Sequence, residues 1–207
     1  SFKLEHLAAA NGVREGDAHE ALSDVRALIG LARKFKSAQP RLWEYAFELR
    51  GKRKVAALMD VANMTPLLHI SSRYPASRHC AALVAPIAVH PKIDSRVIVC
   101  GLDEDPAALL ALSPEDIADR LYTPVADLPE GEQRIPLKEV HTNKCPILLP
   151  LSHLREADFV RLGIDRDACL ARAEQLRTAP GLAEKVRRVF AAERAREPAD
   201  ADAALYD

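Results

Sequence analysis

The chain has 207 residues, of which 48% are hydrophobic, and its formal net charge at pH 7 is -1. This length and composition are enough to bury a core and predict a globular protein of one or two domains. No apolar run reaches the roughly 18 residues that a membrane-spanning helix needs, and the first residues lack the layout of a signal peptide. We therefore expect a cytoplasmic protein with no membrane partner.

Cysteine spacing and local charge indicate which metal or redox motifs are absent from the sequence and what kind of partner the protein binds. The four cysteines lie far apart without a C-x-x-C pair, which favours buried, reduced thiols over a zinc ribbon or a thioredoxin motif. Residues 33–54 hold eight Lys/Arg against two Glu, whereas residues 103–132 hold nine acids against one Arg. This distribution indicates a polyanionic partner that meets one side of the protein, with ordinary solvated faces as the alternative.

The N-terminal segment is predicted to form two helices. An apolar pattern from Leu4 stops at Asn11-Gly12, which is typical of a helix C-terminus. The second helix runs over Ala18–Lys36, because apolar residues recur there at helical spacing. The members of this apolar stripe are Ala21, Leu22, Val25, Leu28, Ile29 and Ala32.

A change of period marks the middle of the chain. After a break over 37–39, Pro40 opens a third helical pattern, in which Trp43 and Phe47 are predicted core residues. Short strand-like runs bounded by Pro, Gly or Asp follow, and they predict a small, strongly bent sheet or barrel. These predicted strands cover 67–71, 83–89, 96–101, 135–140 and 145–149.

Helices interrupt and follow the predicted sheet. Ser113 has the character of an N-cap, with Pro114 at the first helical position. The tail 196–207 is polar and Ala-rich, as expected of a linker. The helical stretches expected between these two segments cover 154–162, 165–177 and 181–193.

One carboxylate on the long N-terminal helix is a candidate for chemistry. Asp24 lies at the edge of the apolar stripe, where an uncompensated charge is costly, so it needs a donor, a cation or a metal ion. His19 precedes it by five residues, which gives the pattern His-x-x-x-x-Asp. The same spacing occurs at His153 and Asp158, so the pattern alone leaves an ordinary capped or paired aspartate as the alternative.

Nine short motifs stand in colinear order over nearly the whole chain: Phe2-Lys3-Leu4-Glu5-His6-Leu7, Ala10-Asn11-Gly12, Ala18-His19-Glu20-Ala21-Leu22-Ser23-Asp24-Val25, Gln39-Pro40-Arg41-Leu42, Val84-Ala85-Pro86, His90-Pro91, Arg120-Leu121-Tyr122-Thr123, His141-Thr142-Asn143-Lys144-Cys145-Pro146 and Arg161-Leu162-Gly163-Ile164. Together they resemble the bacterial exodeoxyribonuclease I family, which trims single-stranded DNA from the 3' end. Several motifs in register are far more specific than any one of them.

The resemblance implies an α+β chain with three parts. Residues 1–39 would be the C-terminal helices of a ribonuclease H-like exonuclease domain. Residues 40–195 would form an accessory Src-homology-3-like barrel domain embellished with helices. Residues 196–207 would be a linker towards a further helical domain.

The resemblance also assigns chemical roles. In that family four acidic residues hold two magnesium ions, and a histidine shortly before the last acid acts as general base on the attacking water. Asp24 matches the last metal ligand and His19 matches the base, roles that suit two-metal phosphodiester hydrolysis. The other acids would lie upstream of Ser1, so the chain alone is expected to be inactive.

Single-stranded DNA is the first binding partner that the resemblance implies. Lys52, Lys138 and Asn143 would contact the strand, and Tyr122 would offer a stacking surface. A groove that is indifferent to sequence works by capturing phosphates and stacking bases. The alternatives are solvated lysines and a Tyr122 that packs in the core at the end of its helix.

The second implied partner is the acidic tail of the single-stranded-DNA-binding protein, which ends in a phenylalanine with a free carboxylate. Leu170 and Arg177 lie seven residues apart and share one predicted helix face. Arg155 would add positive charge, and Tyr45 would form a wall of the pocket. Without the resemblance, both arginines are ordinary surface residues.

Two classes of function follow. The chain is either part of a magnesium-dependent 3'-to-5' exonuclease that degrades single-stranded DNA in repair and recombination, or a non-catalytic module that binds this DNA and the partner tail. A monomer is expected in both cases.

Overall fold

A computed structural model describes residues 3–13 and 20–191. Four helices come first in this part of the chain: α1 (Leu4–Ala10), α2 (Ala21–Ala38), α3 (Pro40–Glu48) and α4 (Lys52–Leu58). The predicted stop of α1 is confirmed, since Asn11 leaves the helix and Gly12 has a φ of 62°, which glycine adopts without a Cβ penalty. No described helix is long and apolar enough to cross a membrane.

Small side chains bring α2 close to α1 and to Val13, which lies three positions after the end of α1. Ser23 and Ala27 are the buried residues of α2, and Ala8 is the buried residue of α1. Gly30 continues the face of Ser23 and Ala27 at helical spacing. A Cβ at Gly30 would lie 2.9 Å from the Cβ of Val13, so a larger residue would force a shift.

The large side chains of the predicted apolar stripe of α2 point away from α1 and are exposed. Leu22, Val25, Leu28 and Ile29 are each at least 45% exposed within the described part of the chain. The helix itself is confirmed over Ala21–Ala38, and the predicted residues 18–19 lie outside the described part of the chain. Its buried face consists of small residues because these allow the closest approach to α1.

The prediction that Phe47 is a core residue was wrong. Its side chain is 51% exposed and is covered by the guanidinium of Arg50, 3.9 Å from the ring centroid. Such a cation-π contact stabilises an aromatic ring at the surface. Trp43 is partly buried and meets the ring of Phe35 edge-on, with 6.0 Å between centroids.

Five antiparallel strands then form one sheet in the order β4-β3-β2-β1-β5. The strands, which confirm the five predicted runs, are β1 (Leu67–Ile70), β2 (Ala81–Val89), β3 (Arg96–Gly101), β4 (Leu137–His141) and β5 (Ile147–Pro150). The register of β2 against β3 shifts between Pro86 and Ala88, where proline has no N–H for the ladder. A bulge of this kind bends a strand, as the predicted bent sheet requires.

Both faces of the sheet are buried. On β2, Leu83 and Ile87 point into one core, and Val84 points into the other. Five helices cover the first core: α5 (Ala107–Ala111), α6 (Pro114–Tyr122), α7 (Glu156–Leu162), α8 (Arg166–Thr178) and α9 (Leu182–Ala191). The second core is closed by Leu49 and by Val55 of α4.

Local sequence patterns predicted most of these helices. Ser113 caps α6 as predicted, because its side chain accepts a hydrogen bond from the Asp116 N–H. The sequence did not predict α4 and α5, which have seven and five residues and therefore little room for a helical period. The predicted linker 196–207 lies outside the described residues.

The four cysteines are free thiols, but only Cys100 and Cys169 are buried. Cys145 is exposed, so the prediction of buried thiols was wrong there. It occupies the turn between β4 and β5 with a φ of 46°, and a turn at the surface leaves its side chain in solvent.

Candidate nucleic-acid interface

An open groove of about 980 Å³ follows β4. Its walls come from the end of β1, the end of α6, β4 and the turn before β5. Two of the predicted DNA-binding residues, Tyr122 and Lys138, are among the residues that line it. The fold therefore brings these two together, although they lie sixteen positions apart in the sequence.

Basic side chains predominate in this groove. Its charged lining consists of Arg73, Arg134, Lys138, Lys144, Glu104 and Glu139. Glu139 is already paired, because Arg96 outside the groove donates to it at 3.1 Å. A concave surface with excess positive charge attracts a polyanion.

Lys138 is the most enclosed of these cations. It is partly buried on β4, and its Nζ lies 3.8 Å from the centroid of the Tyr74 ring. Burial lowers the pKa of Lys138; Glu104 opposes this change, whereas Arg134 and Arg73 reinforce it. Lys138 thus lies near two acidic and two basic side chains, and an anion bound in the groove would offset the repulsion from the two arginines.

The other predicted DNA contacts lie in different places. Tyr122 ends α6 and is 39% exposed, which favours a surface role over packing in the core. Asn143 is exposed in the β4–β5 turn beside Lys144 of the groove. Lys52 is exposed at the start of α4 and is not among the described residues that line the groove.

Three cations of the groove were missed by sequence reasoning. Arg73 follows β1, Arg134 precedes β4, and Lys144 lies in the turn before β5. Arg134 is held by two hydrogen bonds to the carbonyl of Leu121, donated by its Nε at 3.0 Å and its Nη2 at 2.8 Å. No spacing in the sequence links these residues, because only the strand order of the sheet brings them together.

The candidate catalytic residues belong to the N-terminal segment. Asp24 lies in the first turn of α2, is partly buried, and donates its backbone N–H to the Glu20 carbonyl at 2.9 Å. His19 lies outside the described residues. Over 3–13 and 20–191, no three His, Cys, Asp or Glu side chains come together as a possible metal site. The described residues therefore do not fit a complete two-ion centre, and we derive no chemical step through a metal.

The second His-x-x-x-x-Asp pattern has a structural explanation. Asp158 accepts hydrogen bonds from the backbone N–H of Arg155 at 3.0 Å and from its Nε at 3.1 Å, which caps the start of α7. These bonds lower the pKa of Asp158 to about 2. The ring of His153 packs edge-on against Tyr45, with 5.3 Å between centroids. The geometry thus assigns this copy to helix capping and packing.

The predicted peptide-binding residues form two local groups. Tyr45 is fixed, since its hydroxyl donates to the Leu148 carbonyl at 2.7 Å, and burial raises its pKa. Through His153 it adjoins the segment that leads to Arg155, which is 83% exposed. Leu170 is partly buried on α8, and Arg177 is exposed near the end of that helix.

Both arginines already have a carboxylate partner within one helical turn. Arg155 pairs with Asp158, and Nε of Arg177 donates to Glu174 at 2.8 Å. Exposed pairs of this kind are weak, so an incoming carboxylate can compete for the guanidinium. The first residues of α7 and α8 are linked by an ion pair between Arg166 and Glu156 at 3.6 Å, which places the two helix starts side by side.

A bulged five-stranded antiparallel sheet that is covered by helices is an embellished Src-homology-3-like domain. The sequence profile described as "Exonuclease I SH3-like domain" matches residues 50–192. The chain therefore belongs to the exodeoxyribonuclease I family, as its motifs predict.

Relatives extend the match across the whole chain. Exodeoxyribonuclease I of Escherichia coli K12 is 43% identical over 208 residues, which cover 100% of this chain and 44% of that protein. The crystal structure of E. coli exonuclease I with a dA16 oligonucleotide matches at a TM-score of 0.92 and 43% identity, covering 100% of this chain and 44% of that one. A zinc-bound complex of the E. coli enzyme with single-stranded DNA matches at a TM-score of 0.90 and 43% identity, covering 94% of this chain and 42% of that one. The chain spans less than half the length of these relatives.

Proposed function

We propose that this chain is the part of a single-stranded-DNA exonuclease that holds the strand beside the catalytic centre. The observation that carries the proposal is the basic groove along β4, where Lys138, Arg134 and Arg73 converge beside the exposed Tyr122. Cations that capture phosphates and an aromatic ring for stacking are what a single-strand groove needs. The E. coli relative, which matches this chain end to end, was solved with a dA16 oligonucleotide.

We further propose 3'-to-5' hydrolysis with magnesium in the complete protein. Asp24 would be one of four carboxylates that hold two ions, and His19 would be the general base. The colinear motifs support both assignments, as does the zinc ion in the related DNA complex. The remaining ligands have to come from outside the described residues, since these contain no three-ligand cluster.

The proposed division of the chain follows the same logic. Residues 1–39 would complete the exonuclease domain, 40–195 would form the accessory domain, and 196–207 would be a linker. The exposed stripe of α2 supports this division, because contiguous apolar surface on a folded protein marks a place where another surface packs.

A second candidate function is recruitment of the tail of the single-stranded-DNA-binding protein. It is favoured by the exposure of Arg155 and Arg177, whose only described ion-pair partners lie on their own helices. Tyr45, anchored to the Leu148 carbonyl, offers a rigid apolar wall near Arg155. A carboxylate-terminated phenylalanine needs this combination of a cation and an apolar surface.

The groove assignment is tested by the salt dependence of DNA binding. Fluorescence anisotropy with a labelled oligothymidylate would compare the wild-type chain with Lys138→Ala over a range of salt concentrations. The slope of log affinity against log salt should fall in magnitude by about 0.7, the value for one lost single-strand phosphate contact.

Arg187→Ala provides the matched control for this measurement. It also removes one positive charge, but Arg187 pairs with Glu184 on α9 and does not line the groove. Its slope should equal that of the wild type. Equal slopes for Lys138→Ala and Arg187→Ala would place the strand elsewhere.

A further inference from the structure

Two buried aromatic side chains lie next to Lys138, and the proposed function gives them no role. His69 on β1 is 8% exposed, and Tyr74 in the turn after β1 is 7% exposed. Their rings meet edge-on with 5.3 Å between centroids, and Nδ1 of His69 lies 2.9 Å from the Tyr74 hydroxyl oxygen. Lys138 stands over the face of the Tyr74 ring at 3.8 Å. The three side chains form a continuous stack from the sheet to the groove.

Both aromatic groups are neutral at physiological pH. Burial lowers the pKa of His69 to about 4, with Lys138 adding to the effect, and burial raises the pKa of Tyr74 far above its ordinary value. Either neutral tautomer of His69 leaves one proton between Nδ1 and the Tyr74 oxygen, so the hydrogen bond persists. The bond holds the hydroxyl end of the Tyr74 side chain in place, the edge-on His69 ring limits its rotation, and the Tyr74 ring face is turned to Lys138.

An aromatic ring holds an ammonium group differently from a carboxylate. A carboxylate cancels the positive charge that it binds, whereas the negative face of a ring attracts the cation and leaves its charge in place. The ion pairs found in the described part of the chain do not include Lys138. The Tyr74 ring therefore holds the ammonium without cancelling its charge, at a position where Glu104 and Asp103 attract it and Arg134 and Arg73 repel it.

We propose that Tyr74, oriented by His69, is a positioning residue that holds the Lys138 ammonium towards a phosphate oxygen of the bound strand. Tyr74 itself does not touch the ligand in this arrangement, because it is buried beneath the lysine. The inference rests on the proposed function of the groove, since it takes a nucleic-acid backbone as the ligand.

The first test is a double-mutant cycle on DNA affinity, measured with the full chain and a labelled oligothymidylate. Tyr74→Leu should weaken binding about 2- to 30-fold, the range expected from loss of one cation-π contact. Tyr74→Leu should add no further loss to Lys138→Ala, because the ring acts only through the lysine. Tyr74→Phe retains the ring face and should lie between the wild type and Tyr74→Leu.

The second test reads the geometry without DNA and therefore separates the two proposals. In a ¹H–¹³C spectrum, the Lys138 Cε signal should be shifted upfield by the Tyr74 ring. The signal is assigned by its loss in Lys138→Arg. It should return to the ordinary lysine position in Tyr74→Leu and stay shifted in Tyr74→Phe, which also covers the case where Tyr74→Leu folds poorly.

The outcomes are distinct. Additive losses in the cycle, or an unshifted Lys138 signal in the wild type, overturn the positioning role. Absence of salt-dependent binding by the wild type overturns the proposed function, and the positioning role towards DNA falls with it. A shifted Lys138 signal beside normal DNA binding by Tyr74→Leu overturns the positioning role alone.

Discussion

The helices α1 to α3 and the five-stranded sheet bury their apolar side chains in different ways. The sheet has a core on each face, and Leu83, Ile87 and Val84 of one strand are each fully buried. The helices α1 and α2 meet through small residues, while most of the large apolar side chains of α2 remain exposed. The apolar side chains of the sheet are thus buried within the described chain, whereas those of α2 are left exposed and available to pack against another protein surface.

In the proposed function, the candidate catalytic residues and the DNA-binding groove lie in these two different regions. Asp24 and His19, the candidate catalytic residues, belong to the segment with the exposed stripe. The groove cations belong to the well-packed sheet, which can hold them in place without further support. A catalytic site that is shared with another domain is expected beside the exposed apolar stripe of α2. A preformed binding groove is expected on the sheet, whose two faces are already packed.

The largest expected effect concerns the catalytic residues. In the complete parent protein, Asp24→Asn and His19→Ala should each reduce turnover by a factor of about 100 or more, since one removes a metal ligand and the other a proton acceptor. A nuclease assay on labelled single strands with magnesium measures this, and thermal unfolding should hardly change.

The chain of 207 residues is the matched control in that assay, and it should leave the label intact. Near-normal turnover by either variant, or trimming of the strand by this chain alone, would falsify the assignment of the site.

A second prediction compares one leucine from each region. Leu83→Ala should lower the free energy of unfolding by about 2 to 5 kcal/mol, because it opens a cavity in a close-packed core. Leu28→Ala removes the same atoms from a side chain that is 59% exposed, and its effect should stay within about 0.5 kcal/mol. Urea denaturation of the two variants measures the difference. Equal losses would show that α2 is packed as fully as the sheet.

The third prediction concerns the partner tail. Arg177→Ala should weaken binding of a labelled tail peptide about 10- to 150-fold, the range for loss of a charge-assisted contact to a carboxylate. Raised salt should weaken binding as well. Fluorescence anisotropy measures both effects, with Arg187→Ala as the charge-matched control. Unchanged binding by Arg177→Ala, or by a peptide without its final phenylalanine, would move the pocket elsewhere.

Sequence reasoning located the strands well because each is short, apolar and bounded by Pro, Gly or Asp. It found the long α2 helix for a similar reason, since a repeated period is visible over many residues. It could not tell which side of α2 is buried, because the decisive contact is made by Ser23, Ala27 and Gly30, whose small side chains give almost no hydropathy signal.

The candidate groove was predicted only in part. Lys138 and Tyr122 came from a family resemblance, whereas Arg73, Arg134 and Lys144 carry no local signal. Their convergence depends on how β1, β4 and β5 are arranged in the sheet, which no pattern within one segment encodes. The stack of His69 and Tyr74 under Lys138 was missed for the same reason.

Gly30 makes the spacing of α1 and α2 depend on the absence of a single methyl group. A Cβ added there would lie 2.9 Å from the Cβ of Val13, so any side chain at this position would push α2 away from the segment that ends α1. Asp24 lies on the same helix, less than two turns away, so this displacement would tilt the carboxylate along with the backbone that carries it. In a scan of all single substitutions along α2 of this chain alone, Gly30 would reject larger residues together with the buried Ser23 and Ala27, whereas the exposed Ile29 would accept polar replacements.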